Sequence, residues 1–286
     1  VHLTDMKHLF AFACFLAAFA SVSAQLFYRI TPPGGQASYL LGTMHLVPEN
    51  RLQFSPAVEE ALAGSQVLYL EVDPDIPLSE QVALASKVMM DPPLQERVTP
   101  ELYARLEQEA RAIGVKPKKF ARLGRLMPLF MVPAVLQMGL DDVVAVDLEL
   151  RDAANKQKKL INGLETLAFQ MDLMRSFSLE DQLAMLQDPD VFGKAAFEQM
   201  VDLYFAEDLE GLRKMTEEEM IDLPDFNRRL LDDRNRSWIP IMSKSSAVLP
   251  AFYAVGAAHL PGPAGVLALL RDAGWKVETL PPAFVR

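Results

Sequence analysis

Two histidines stand in the same local frame near opposite ends of the chain: Gly42-Thr43-Met44-His45 and Gly256-Ala257-Ala258-His259. Each frame follows an apolar, strand-like run, Leu40-Leu41 in one case and Ala251 to Val255 in the other. Glycine at such a place lets the backbone turn sharply or approach a ligand closely. The histidine three residues on is then held at a strand's carboxyl end, where α/β sheets bind their ligands. An imidazole there can take or give a proton near neutral pH. Glu71 interrupts the apolar run Val67 to Val72. A carboxylate in a buried strand is costly without a cation or donors, so Glu71 reads either as half of a buried ion pair, with Arg234 as the partner, or as a site residue. Glu165 ends a further strand after Gly163-Leu164 and reads as a first-turn acid of the next helix or as a general base. Arg234 and Asn235, in the run Asp232 to Arg236, offer a cation for an oxyanion and an amide, or else a solvated face.

The weight on His45 and His259 comes from scarcity. The chain of 286 residues has four histidines and one cysteine. Met6-Lys7-His8, the apolar run Leu9 to Ala20 and the small-residue end Ser21 to Ala24 have the pattern of a secretory signal peptide cleaved after Ala24. The apolar run is short for a membrane span, which needs about 20 residues. Cleavage removes His2, His8 and Cys14, leaving two histidines and no thiol. That suits an oxidising compartment, periplasmic or extracellular. It also removes one Asp and one Lys, so the net charge of −10 is unchanged. So acidic a chain is a poor partner for nucleic acid, whose phosphates need a basic face. A lone cysteine excludes a disulfide framework and a multi-thiolate zinc site.

The elements that must position these residues are legible in outline. Gln25–Ile30 and Ser38–Leu41, separated by Thr31-Pro-Pro-Gly-Gly35, read as a β-hairpin. Val67–Val72 reads as a strand buried on both faces. Lys159–Asn162, Ala251–Val255 and Trp275–Leu280 read as further strands. Between them lie helical stretches: Pro56–Gly64, Ser79 to about Arg151, Leu148–Lys158, Phe169–Lys244 and Pro263–Ala273. The Met-rich segment Leu126 to Met138 reads as core in preference to a partner surface. No repeat and no Gly/Ser-rich linker divides the chain. The expectation is a single α/β domain over 25–286, with a central mixed sheet and large helical insertions.

Gly42-Thr-Met-His45, Tyr69-Leu-Glu71-Val-Asp73, Gly163-Leu-Glu-Thr166, Arg234-Asn235 and Gly256-Ala-Ala-His259 resemble, in order and spacing, the motif series of the TraB/PrgY/GumN family, which includes the TIKI proteases. The resemblance spans about residues 25 to 283 and implies an α/β core related to the TIKI and erythromycin-esterase-like group. It implies that His45, Glu71 and His259 correspond to the family's paired histidines and acid, which in the TIKI branch serve a protease dependent on Mn²⁺ or Co²⁺. The chain is most similar to the bacterial GumN-like branch, whose activity is mostly undefined, although GumN itself is linked by gene neighbourhood to exopolysaccharide synthesis. One departure is Ala145-Val146-Asp147, where many relatives read Gly-Val-Asp.

Two imidazoles and a carboxylate make a facial set for a divalent metal, Mn, Co or Zn, with open positions. Such a metal activates water and polarises a carbonyl. The expectation is therefore metal-assisted hydrolysis of a peptide or other acyl bond. His45, Glu71 and His259 are the expected ligands, Glu71, Glu165 and Arg234 the catalytic groups, and Gly42, Thr43, Asn235 and Gly256 the substrate contacts. A metal-free version uses His45 or His259 as general base with Glu71 as its orienting partner. No His-Glu-x-x-His helix and no Gly-x-Ser-x-Gly frame is present. A different class is a non-catalytic binding or envelope-assembly protein acting on a peptide, acyl or glycan-related ligand.

Overall fold

A computed structural model describes residues 25–285 except 74, 190 and 220–224. The leader read at residues 1–24 lies outside them. Eight strands occur among the described residues: β1 (Phe27–Thr31), β2 (Ser38–Thr43), β3 (Val47–Pro48), β4 (Val67–Val72), β5 (Val143–Val144), β6 (Leu160–Glu165), β7 (Ala251–Gly256) and β8 (Lys276–Thr279). Six form one sheet in the order β6-β4-β7-β2-β1-β8. β1 and β2 are the expected hairpin, antiparallel, with β8 antiparallel on the far side of β1. β2, β7, β4 and β6 are mutually parallel. Their carboxyl ends therefore share one edge of the sheet, and Thr43 of β2 is in register with Gly256 of β7. This register sets the two Gly-x-x-His frames side by side, although 214 residues of chain separate Gly42 from Gly256.

The helices are α1 (Pro56–Gly64), α2 (Leu78–Lys87), α3 (Pro100–Ala112), α4 (Pro117–Leu123), α5 (Pro128–Gly139), α6 (Val146–Lys156), α7 (Leu167–Arg175), α8 (Leu179–Ala184), α9 (Lys194–Phe205), α10 (Leu209–Glu219), α11 (Asp233–Ser246) and α12 (Val266–Asp272). The start of α3 shows the local logic. Thr99 accepts a hydrogen bond from the Leu102 N–H and Pro100 occupies the first turn, where its missing donor costs nothing. Leu102, Leu106 and Ala110 then bury one face.

Two apolar cores result. One surrounds the sheet, with Phe27, Leu40, Leu41, Leu68, Phe252 and Tyr253 fully buried. The other lies within the helical insertion, around Leu94, Leu106, Phe120, Met131, Val135 and Leu186. Each such side chain contributes about 1.5–3 kcal/mol by leaving water. The Met-rich segment belongs to this second core through Leu129, Met131 and Val135. It is one helix with Pro133 inside it.

The short pair β3–β5 was not visible in the sequence. It pairs Val47 with Val144, and the Val146 N–H donates to the Met44 carbonyl at 3.2 Å. The loop carrying His45 is thereby tied to the start of α6, which carries Asp147.

Candidate functional site

Glu71 lies one residue from the end of β4, Glu165 ends β6, and His259 follows β7 in a single 3-10 turn, Ala257–His259. Arg234 and Asn235 come from the first turn of α11, just after a π-helical turn, Arg228–Asp232. Such a turn often marks a functional position, because it re-aims the side chains that follow.

Arg234 is the centre of the arrangement. Its Nε donates to both Glu165 oxygens at 2.9 and 3.2 Å. Its Nη2 donates to Glu165 Oε1 at 2.5 Å and to Glu71 Oε2. Its Nη1 donates to the Leu230 carbonyl at 2.9 Å and faces His259 Nε2 at 3.1 Å. The Arg234, Glu71 and Glu165 side chains retain 9%, 11% and 6% of their exposure, so this ion triad is essentially out of water. The carboxylates are otherwise satisfied. Glu71 Oε1 accepts from the Gly256 N–H at 2.7 Å, Gln170 Nε2 bridges Glu71 and Glu165, and the Trp238 indole donates to Glu165 Oε2 at 3.2 Å. Glu165 is thus a member of the network, and Thr166 is the residue that caps α7.

His259 is buried, and its tautomer follows from its neighbours. Asn235 Nδ2 donates to the Ala264 carbonyl at 2.9 Å, which turns Asn235 Oδ1 toward His259 Nδ1 at 2.6 Å. Nδ1 therefore carries the proton, and the lone pair is on Nε2. The Trp238 ring packs against the imidazole with centroids 4.5 Å apart. Burial pushes His259 down to about 4, with Glu71 opposing and Arg234 and His45 adding to the fall. For Glu71, burial alone would raise the carboxyl, but His259, Arg234, His45 and the Gly256 N–H outweigh it and bring it down to about 2. At neutral pH His259 is uncharged, so the directly paired Arg234 guanidinium and the Gly256 N–H, more than the imidazole, keep Glu71 ionised.

His45 is placed differently. It stands at the rim, its side chain 74% exposed, with Nδ1 3.5 Å from Asp147 Oδ1. That is an ion-pair distance beyond hydrogen-bond length, and Asp147 Oδ1 is buried without a hydrogen-bond partner among the described residues. The Asp147 carboxylate beside it raises the imidazole above its ordinary value, with Glu71 assisting. His45, His259, Glu71 and Arg234 all line one cleft of about 1280 Å³, as do Thr43 and Gly256. The cleft opens between the sheet's carboxyl edge and the helical insertion.

The glycines of the two frames serve packing. A Cβ on Gly42 would lie 2.8 Å from Leu260 Cδ1 and 3.2 Å from Ala257 Cα, and its carbonyl accepts from the buried Tyr204 hydroxyl at 2.9 Å. A Cβ on Gly256 would lie 3.0 Å from Glu71 Oε1 and 3.5 Å from His259 Cδ2. Gly256 therefore keeps room for the carboxylate and the imidazole. Asn235 spends both ends of its amide on the protein and orients His259. Asp147, Gln170 and Trp238 were not singled out as site residues.

The donors do not fit a divalent metal as they are arranged. Among the described residues no three His, Cys, Asp or Glu side chains come together as a ligand set. The His259 lone pair and both Glu71 oxygens are engaged by Arg234, Gln170 and the Gly256 N–H, and the guanidinium supplies the positive charge at their centre.

Comparison with known proteins gives two relatives of similar length. The Uncharacterized protein YbaP of Shigella flexneri is 27% identical over 262 residues, covering 85% of this chain and 90% of that protein. The Uncharacterized protein YbaP of Escherichia coli (strain K12) is 26% identical over 262 residues, with the same coverage. No solved structure gives a significant match. Residues 26–279 match the TraB/PrgY/gumN family, and with the paired Gly-x-x-His frames joined at one sheet edge, the chain belongs to that family.

Proposed function

We propose that this protein is a hydrolase of the bacterial envelope that cleaves a peptide or other acyl bond in the cleft above the sheet's carboxyl edge. The observation that carries the reading is the placement of two unlike histidines in one cleft: His259 buried at the floor with its Nδ1 on Asn235 Oδ1, and His45 exposed at the rim beside the Asp147 carboxylate. Two imidazoles in such different surroundings are suited to act as base and acid in one reaction. Water attacks the acyl carbon and its proton passes to His259 Nε2. The bond to the leaving oxygen or nitrogen breaks, and that atom takes a proton from His45. Exchange with solvent resets both rings. When Nε2 takes the proton, the Arg234 Nη1 N–H that faced it is freed toward the cleft, while the other Nη1 N–H stays on the Leu230 carbonyl. The Glu71–Arg234–Glu165 triad holds the floor rigid and its charge fixed, so little reorganisation accompanies the reaction. The periplasmic or extracellular setting rests on the leader-like pattern of residues 6–24.

The test is turnover of a panel of activated esters and amides by wild type and by His259→Ala. Loss of at least about 100-fold in kcat/KM in the variant is expected for a general base. Tight binding without turnover in wild type points instead to the non-catalytic binding protein. Metal enters as a control. If Mn²⁺, Co²⁺ or Zn²⁺ stabilises wild type but not the His45→Ala/His259→Ala double variant, the metal-dependent mechanism replaces this one.

A further inference from the structure

The cleft is much larger than the charged floor requires. At about 1280 Å³ it exceeds the roughly 300–1,000 Å³ of an ordinary small-molecule pocket. Most of its polar residues, Thr43, His45, Glu71, Gln170, Arg234 and His259, belong to or reach the sheet edge, while Asp188 and Thr216 come from the helical side. The wall from the helical insertion is different in kind. Val132 and Leu136 of α5, Leu173 and Met174 of α7, Met200 of α9 and Leu230 beside Arg234 all face the cleft while only partly buried. Apolar side chains left half-covered along one wall are unsatisfied with respect to water, and a ligand that covers them gains free energy by doing so.

We infer that the substrate carries a long unbranched alkyl chain, as in a fatty-acyl ester or amide, with its polar linkage at the Arg234–His259 floor and its chain along the aliphatic wall. This rests on the hydrolase reading only for the word substrate; the binding preference stands separately. Three features favour an alkyl chain. Helices form the wall, so their backbone groups are spent internally and offer a peptide no ladder of donors and acceptors. The six wall residues named carry no hydroxyl, amide or charge, and Asp188 and Thr216 are the two polar side chains the helical side adds, too few to recognise the hydroxyls of a glycan. Leucine and methionine side chains adapt to a flexible chain. The floor also selects a neutral linkage. Glu71 and Glu165 share the single Arg234 guanidinium, leaving one negative charge in excess, and that guanidinium is already saturated. A free carboxylate is therefore a weaker ligand than its ester or amide, and hydrolysis turns a good ligand into a poor one.

The experiment measures binding and turnover separately. Calorimetry on the mature protein with N-alkyl acetamides, butyl to dodecyl and below their micellar concentrations, reads affinity. p-Nitrophenyl esters from acetyl to dodecanoyl read kcat/KM. Affinity is expected to rise at least about tenfold from butyl to dodecyl, well inside the roughly fourfold per methylene of complete burial. Dodecanoate itself is expected to bind more weakly than the dodecyl amide. Ala184→Trp and Ala196→Trp place bulk in the cleft wall, and either one, if folded by circular dichroism, flattens the length series. Length-dependent binding with no ester turned over sinks the hydrolase reading and leaves this inference standing. Turnover with flat binding across the series overturns the inference alone. Stronger binding of apolar peptide amides than of alkyl amides of equal apolar area also overturns it, in favour of a peptide.

Discussion

Arg234 neutralises two buried carboxylates at once, and its removal leaves both without a cation. Breaking a buried ion pair by deleting one partner costs about 3–5 kcal/mol. Arg234→Met is expected to lose that much in urea unfolding. Arg234→Lys, which keeps the charge but not the fork that reaches Glu71 and Glu165 together, should lose less. His259 makes a second prediction. Its folded value, about 4, lies below the ordinary 6.5, so the unfolded chain binds the proton first as pH falls. Its stabilisation is complete above about pH 6.5 and is lost as pH falls toward 4, on the order of 3 kcal/mol in all. His259→Gln should flatten that part of the stability–pH curve, and equal slopes in the two proteins would contradict the buried neutral imidazole. If the site is catalytic, kcat/KM should be bell-shaped. Its acid limb reports His259 near 4, and its alkaline limb reports His45 above its ordinary 6.5.

At the scale of elements, the two Gly-x-x-His frames are one piece of structure, because β2 and β7 are parallel neighbours in register. Their glycines answer to different neighbours, and this separates two substitutions. Gly42→Ala drives a methyl against Leu260, Leu26 and the Ala257 backbone, and overpacking of that kind costs about 1–3 kcal/mol. Gly256→Ala meets only the Glu71 carboxylate and the edge of His259. It is expected to cost less in thermal unfolding than Gly42→Ala while moving the pH dependence of His259 more. The reverse order would mean that Gly256, not Gly42, is the packing glycine. The β3–β5 pair has a comparable role, since it brings Asp147 to His45.

Across the whole molecule, the two ends of the described chain are fastened to one buried residue. Glu207, 3% exposed, accepts from the Leu26 N–H at 3.1 Å and from the Ala283 N–H at 2.7 Å. Glu207→Ala strands two buried donors, each worth about 1–3 kcal/mol. It is expected to lower the thermal midpoint of the entire domain, measured by calorimetry, without changing the pH profile of His259. The helical insertion with its own core forms the far wall of the cleft, so the site exists only where the two cores face each other.

The residue pattern was enough to locate the parallel strands and the residues at their ends. β4 is read to its exact bounds, and the other sheet strands fall within a few residues, because period-two patterning, Gly and Pro are local signals. The two Gly-x-x-His frames singled out His45 and His259, and the motif order pointed to the family. Partnership was not legible. Glu71 carried two open readings, and so did Glu165, as a first-turn acid or a general base, because nothing near either in sequence says which cation will arrive. Arg234 reaches them from 163 and 69 residues away, through parallel crossovers whose packing is a property of the assembled sheet. The neutral His259, the Asn235 brace and the His45–Asp147 pair arise in the same way. Burial and proximity set the charge of each group, and both are decided only when distant segments close around them.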